Sequence, residues 1–169
     1  STVGVWGPVV TGDGLVWSVG FPGATRGSQW PGSRVISAQK ANTANSFSLP
    51  GLALSTADLY AAVQPGGTLY GLQHSNPVDT RVAYHGPASD FGANDDPMIG
   101  HRIGGVNVFG GCLALYNSKG VLRGAIGVSG GTSCAEHNIP GRTRHTSHNT
   151  IVPRGERPHS AGHHNTQGS

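Results

Sequence analysis

RIGGVNVFGGCLALYNSKGVLRGAIGVSGGTSC, Arg102–Cys134, is the stretch that decides the fold. Two apolar runs, Val106–Tyr116 and Val121–Val128, flank Asn117-Ser118-Lys119-Gly120. Asn and Gly tolerate positive φ and Ser and Lys are at home in water, so the tetrapeptide is a turn and the whole a β-hairpin. The second strand runs into Ser129-Gly130-Gly131-Thr132-Ser133. Thr132 or Ser133 is placed to cap a following helix, and Glu136 completes a capping box where Ser133 is the cap. A small-residue turn at a helix start presents outward amides that favour a carboxylate or another anion.

Working outward, Val3–Val10 and Leu15–Val19 enclose Gly12-Asp13-Gly14 and predict a second hairpin. Ser33–Phe47 is predicted as a helix capped by Ser33, with Val35, Ile36, Ala38, Ala41, Ala44 and Phe47 as a narrow stripe. Alanines there allow close approach to a sheet. Ser55–Val63 predicts a short helix with Asp58 in its first turn, ended by Pro65-Gly66-Gly67, and Thr68–Leu72 a short strand. Gln73–Pro97 has turn residues throughout, and a loop that long is usually functional or interface-forming. A helix from Ser133 is broken early by Pro140-Gly141. The order ββ-α-α-β-loop-ββ-α describes an α+β sandwich. Residues 1–145 form one domain and 146–169 a polar arm or tail that gains order only by packing.

Composition narrows the function classes. Glycine counts 28 and proline 11, but the glycines alternate with apolar residues and mark turns and close packing. Charged residues are only 11%, below the usual quarter, which suits a homo-oligomer that buries much of its surface. A net charge of +3 without a Lys/Arg cluster leaves no nucleic-acid footprint. No apolar run reaches the ~20 residues of a membrane span. A processed, exported protein would begin as this chain does, with Ser1. Cys112 and Cys134 lie on or beside neighbouring strands, so a disulfide and two separate thiols are both open.

The longest motifs are RGSQWPGSRVISAQKANTANSFS, LSTADLYAAVQPGG, LYGLQHSNPVD, HRIGGVNVFGGCLALYN and GAIGVSGGTSCAEHNI. Together they resemble the GlcG/HbpS-like, haem-degrading-domain family, whose domain also forms the C-terminal part of PduO-type adenosyltransferases. The resemblance covers roughly Arg26 to Arg144. It implies a profilin-like α+β fold, an antiparallel sheet with helices packed on it, and assembly into dimers or higher oligomers. It also implies binding of haem or another tetrapyrrole as cofactor or cargo. The chain departs from the family in three places. It shows no extra N-terminal helix, Gly131 stands where relatives often carry an acid, and Pro140-Gly141 interrupts the closing helix.

Candidate site residues follow. His137 and His74 are the candidate haem-iron ligands, since a neutral imidazole serves as an axial ligand. Gln73, His74 and Asn76 end a predicted strand before Pro77, where polar side chains commonly line a cleft. Ser129, Thr132 and Ser133 supply hydroxyls at the glycine turn, and Asn107 belongs to the same polar cleft. Arg26, Arg34 and Lys40 are the cations of the family-like front half; Arg34 is the candidate propionate partner. The plainer role for these cations is a solvated helix charge or an intersubunit ion pair. Ser129 reads G-V-S-G-G and lacks the nucleophile-elbow context, which argues against a serine hydrolase. The five histidines from His145 onward suit adventitious metal only.

Three functions are expected to compete. The first is a haem- or tetrapyrrole-binding protein for storage, sensing or scavenging. The second is a small-molecule enzyme (lyase, isomerase or decarboxylase) using the polar cleft at Ser129–Ser133. The third is an oligomeric interaction protein without a small ligand.

Overall fold

A computed structural model describes residues 4–21, 23–132 and 136. Two antiparallel hairpins build its sheet. Strands β1 (Gly7–Thr11) and β2 (Val16–Gly20) turn at Gly14, whose φ is 83° and whose N–H donates to Thr11 O. Strands β3 (Cys112–Tyr116) and β4 (Leu122–Gly127) turn on Asn117, whose Oδ1 accepts Lys119 N at 3.0 Å and Val121 N at 2.9 Å. Gly120, at φ 73°, closes that turn as the Asn-Ser-Lys-Gly reading requires. β1 and β4 pair antiparallel, Val9 opposite Ile126, and join the hairpins into a four-stranded sheet of order β2-β1-β4-β3.

Helix α1 (Gly32–Phe47) lies across this sheet. Ala38, Ala41 and Ala44 are fully buried on its inner face, in one core cluster with Val10 and Ala125 from the strands. The approach is close enough that a Cβ at Gly127 would stand 2.1 Å from Ser37 O and 2.6 Å from Ala41 N. Gly127→Val is therefore expected to cost about 1–3 kcal/mol by overpacking. Urea unfolding should show a lowered midpoint, with Gly32→Ala, where a Cβ meets nothing, near wild type. Equal midpoints for the two variants would refute the contact.

The α+β class and the antiparallel sheet with packed helices are those expected, but several elements differ. Ser33 sits inside α1 and is buried; Pro31 is the N-cap. Residues 106–109, expected as the start of a strand, have no regular secondary structure and lie outside the sheet, which β3 enters only at Cys112. Their backbone is spent elsewhere: Val106 N donates to Asn76 O, and Asn107 N to Thr43 Oγ1 at 2.9 Å. Gly111, at φ 112°, then turns the chain into β3. Ser55–Val63 forms two 3-10 turns, Thr56–Leu59 and Ala61–Val63, because the chain doubles back at Gly67 and Leu69 N takes Ala62 O. Ser55 is the N-cap of the first of these turns, and the Asp58 carboxylate accepts the Ser55 N–H to complete a capping box. Thr68–Leu72 is a run of turns rather than a strand, with Tyr70 N bonded to Gly67 O and Leu72 N to Leu69 O.

The Gln73–Pro97 stretch contains two one-turn helices, α2 (Leu72–Ser75) and α3 (Thr80–Ala83), and a 3-10 turn at Ala88–Asp90. Backbone bonds staple it to the rest. Asp79 N reaches Ile103 O, and Val78 bridges Gly104. The helix expected from Ser133, its break at Pro140-Gly141 and the tail fall outside the described residues, apart from Glu136.

Two buried ion pairs complete the core. Arg34 and Lys40, read from sequence as solvated or intersubunit charges, are each 1% exposed. The carboxylate of Asp96 accepts Arg34 Nε at 2.8 Å and a second guanidinium N–H, while Arg34 also donates to Ala83 O and lies 3.7 Å over the Phe91 ring. Lys40 Nζ donates to Glu136 Oε2 at 2.5 Å and to Val128 O at 2.9 Å. A Lys or Arg that deep must be paired, and both are.

Candidate functional site

The glycine turn after β4 is held from three sides. Ser129 exchanges backbone bonds with Trp6, and Gly130 O accepts Gln29 Nε2 at 2.6 Å. Gly130 N and Gly131 N both donate to Glu136 Oε1, at 2.6 and 2.8 Å. The turn does attract a carboxylate, as its small residues and amides require, but that carboxylate is the chain's own. These two amides are thus already occupied and do not stand open to a propionate or substrate. Ser129 is buried, Thr132 is exposed, and Ser133 and His137 lie outside the described residues.

Gln73, His74 and Asn76 sit elsewhere. They follow Gly71, whose φ of 93° starts α2, and Asn76 caps the end of that turn by donating to Leu72 O at 3.0 Å. Asn76 O accepts Val106 N, which brings Asn107 into the same neighbourhood. Asn107 is itself committed, its Oδ1 accepting Phe109 N at 3.1 Å. Described hydrogen bonds thus link the 73–76 turn to the 106–107 segment, and the Ser129 turn to Trp6 and Gln29. His74 is exposed, and no described residue hydrogen-bonds its imidazole. Exposed Leu69 and Tyr70 precede it. Arg34 is engaged wholly by Asp96, Ala83 and Phe91, so in this arrangement it does not reach a ligand.

Two clefts were not foreseen. A cleft of about 490 Å³ opens between the Gly12–Gly14 turn and the C-terminal half of α1, lined by Asp13, Asn42, Asn45, Ser46 and Arg102. The Thr11 hydroxyl, with Arg102, holds the Asp13 carboxyl below its ordinary pKa. A second cleft, about 270 Å³, is lined by Asp79, Arg81, Val82, His85 and His101. The Arg81 side chain and amide lower Asp79 likewise. His85 and His101 meet there edge to face, ring centres 6.2 Å apart. No spacing in the sequence signals either cleft, because each draws on segments joined only by the fold.

Cys112 is buried, takes Thr56 N at 3.0 Å and donates to Thr56 Oγ1, and burial pushes its thiol up. A thiol so placed is a packing group and not a nucleophile. Its pairing with Cys134 falls outside the described residues. Among the described residues, no three of His, Cys, Asp and Glu gather as a metal cluster, and no helix is long and apolar enough to cross a membrane.

Comparison with known proteins places this geometry. The model of a family described as haem degrading protein HbpS-like matches residues 22–140. The crystal structure of Klebsiella pneumoniae protein ORFY aligns at 28% identity and a TM-score of 0.53, covering 82% of this chain and 70% of that one. A structure titled as the PduOC:heme complex aligns at 24% identity and a TM-score of 0.56, covering 83% of this chain and 75% of that one. No curated protein matches the chain.

Proposed function

Since the chain belongs to the HbpS-like family of haem-degrading proteins, we propose that it binds haem or a related tetrapyrrole, in storage, sensing or scavenging. The family match over most of the folded region carries this reading. A solved neighbour of the same fold, the PduOC:heme complex, supports it. Haem would supply an iron centre, which an imidazole of this chain would hold.

Among the described residues, His74 is the proposed iron ligand. An axial ligand needs an accessible ring nitrogen, and this imidazole is exposed with no described partner. Tyr70 and Leu69, 63% and 40% exposed, lie four and five residues before it in the chain and are the exposed apolar side chains proposed to meet a porphyrin edge. His137 is the alternative ligand. Gln73 and Asn76 flank the His74 position, and Thr132 and Ser133 are the proposed polar contacts for a haem held by His137; the contact roles expected of Asn107 and Ser129 are dropped, because both side chains are buried. The propionate role expected of Arg34 is dropped, because that guanidinium is buried in its ion pair. The enzyme reading loses its anion site to Glu136.

We infer in addition a homo-oligomer, supported by the exposed Leu49, Leu52, Tyr60 and Phe109, which a low-charge surface leaves for a second copy. Haem titration followed by sedimentation velocity at the Soret wavelength reads both claims. The expected outcome is near-stoichiometric haem sedimenting with a species heavier than one protomer. His74→Ala should shift the Soret band or weaken binding about tenfold or more, with His137→Ala as the parallel test. Haem that fails to co-sediment would overturn the binding reading. A protomer-sized species at micromolar concentration would overturn the oligomer. An unchanged spectrum in the double variant would overturn histidine ligation.

A further inference from the structure

His85 and His101 come from separate segments, yet each is fixed by its neighbours. His101 O accepts Val16 N at 2.9 Å, which pins it to β2. His85 follows α3, whose first turn is tied to the His101 segment through Asp79 N and Ile103 O at 2.9 Å. Next to His85, Gly86 sits at φ 70° against the Pro97 ring. Both imidazoles are exposed at the rim of the same cleft, and no described hydrogen bond engages either.

We propose that His85 and His101 form a two-imidazole site for a divalent transition-metal ion, separate from the tetrapyrrole site. Metal–nitrogen bonds of about 2 Å, with the ring beyond each, put the centres of two imidazoles on one ion about 5–6 Å apart. The observed 6.2 Å is slightly wider than that span, so the two exposed rings would have to close by a few tenths of an ångström or more to share an ion. Imidazole pairs select Zn²⁺, Cu²⁺ or Ni²⁺ over the harder Mg²⁺ and Ca²⁺. Asp79 and Arg81 line the same cleft as an ion pair at 3.3 Å, so the guanidinium charge facing the ion is balanced. No third described side chain of the metal-binding kind joins the two histidines, so a bound ion keeps positions for water or an exchangeable ligand.

The test is carbethoxylation of the full haem-free chain by diethyl pyrocarbonate, mapped residue by residue by mass spectrometry across a Zn²⁺ titration. Residue resolution keeps the tail histidines from confusing the result. The expected result is that His85 and His101 become protected together, at a Zn²⁺ concentration that leaves His74 reactive. In His85→Ala, protection of His101 should need about a hundredfold more Zn²⁺, since the second ligand no longer acts at high effective concentration; His101→Ala should do the same to His85. Both side chains are exposed, so the variants keep their core. Continued reactivity of the pair, protection in parallel with His74, or protection of His101 unchanged by His85→Ala would each overturn the site.

Discussion

Glu136→Ala is expected to destabilise the protein by about 3–5 kcal/mol, the cost of leaving a buried charge without its partner. Lys40 is 1% exposed, and its ammonium would keep only Val128 O. Gly130 N and Gly131 N would lose their acceptor in the same step. Against a typical total of ~5–15 kcal/mol this is a large fraction. Urea unfolding should show a midpoint well below wild type. Lys40→Met with Glu136→Leu should recover only part, because the two amides still lack a carboxylate. If the single and double variants unfold at the wild-type midpoint, Glu136 does not hold the turn.

Asp96→Asn is expected to cost a similar ~3–5 kcal/mol although it changes no volume. Each carboxylate oxygen receives two donors. Oδ2 takes Arg34 Nε and Gly92 N, and Oδ1 takes a second Arg34 N–H and Met98 N. Whichever way an asparagine amide is turned, its NH₂ faces two N–H groups, and the guanidinium loses its counter-charge. Arg34→Met, which strands the carboxylate instead, should fall in the same range. Hydrogen exchange should locate the loosening in residues 91–98. An Asp96→Asn variant as stable and as protected as wild type would refute this account.

What could be read from sequence follows the range of the interaction. Both hairpins were legible, because Gly12-Asp13-Gly14 and Asn117-Ser118-Lys119-Gly120 carry their turn chemistry within a few residues. Helix α1 was legible from its alanine stripe. Arg34 and Lys40 were misread because most helix cations face water, and their acids Asp96 and Glu136 are 62 and 96 residues away. Glu136 reads as a helix-start partner; that its carboxylate takes both Gly130 N and Gly131 N and also meets Lys40 is not specified by a capping pattern. His85 and His101 were passed over, since neither sits in a spaced motif and the staple at Asp79–Ile103 brings them together. Residues 106–109 read as strand because an apolar segment buried against side chains, here Leu59 and Val63, and one hydrogen-bonded into a sheet have the same composition.

The pairing of Val9 with Ile126 has a kinetic meaning. Each hairpin closes a short loop and can form early, but the seam between them must wait until nearly the whole chain has been drawn together. Until then each half-sheet carries an open inner edge, β1 on one side and β4 on the other, with unpaired backbone that another molecule can satisfy. The step that completes the sheet is therefore also the step that protects the nascent chain from its neighbours, and its slowness sets how concentrated a refolding solution can be.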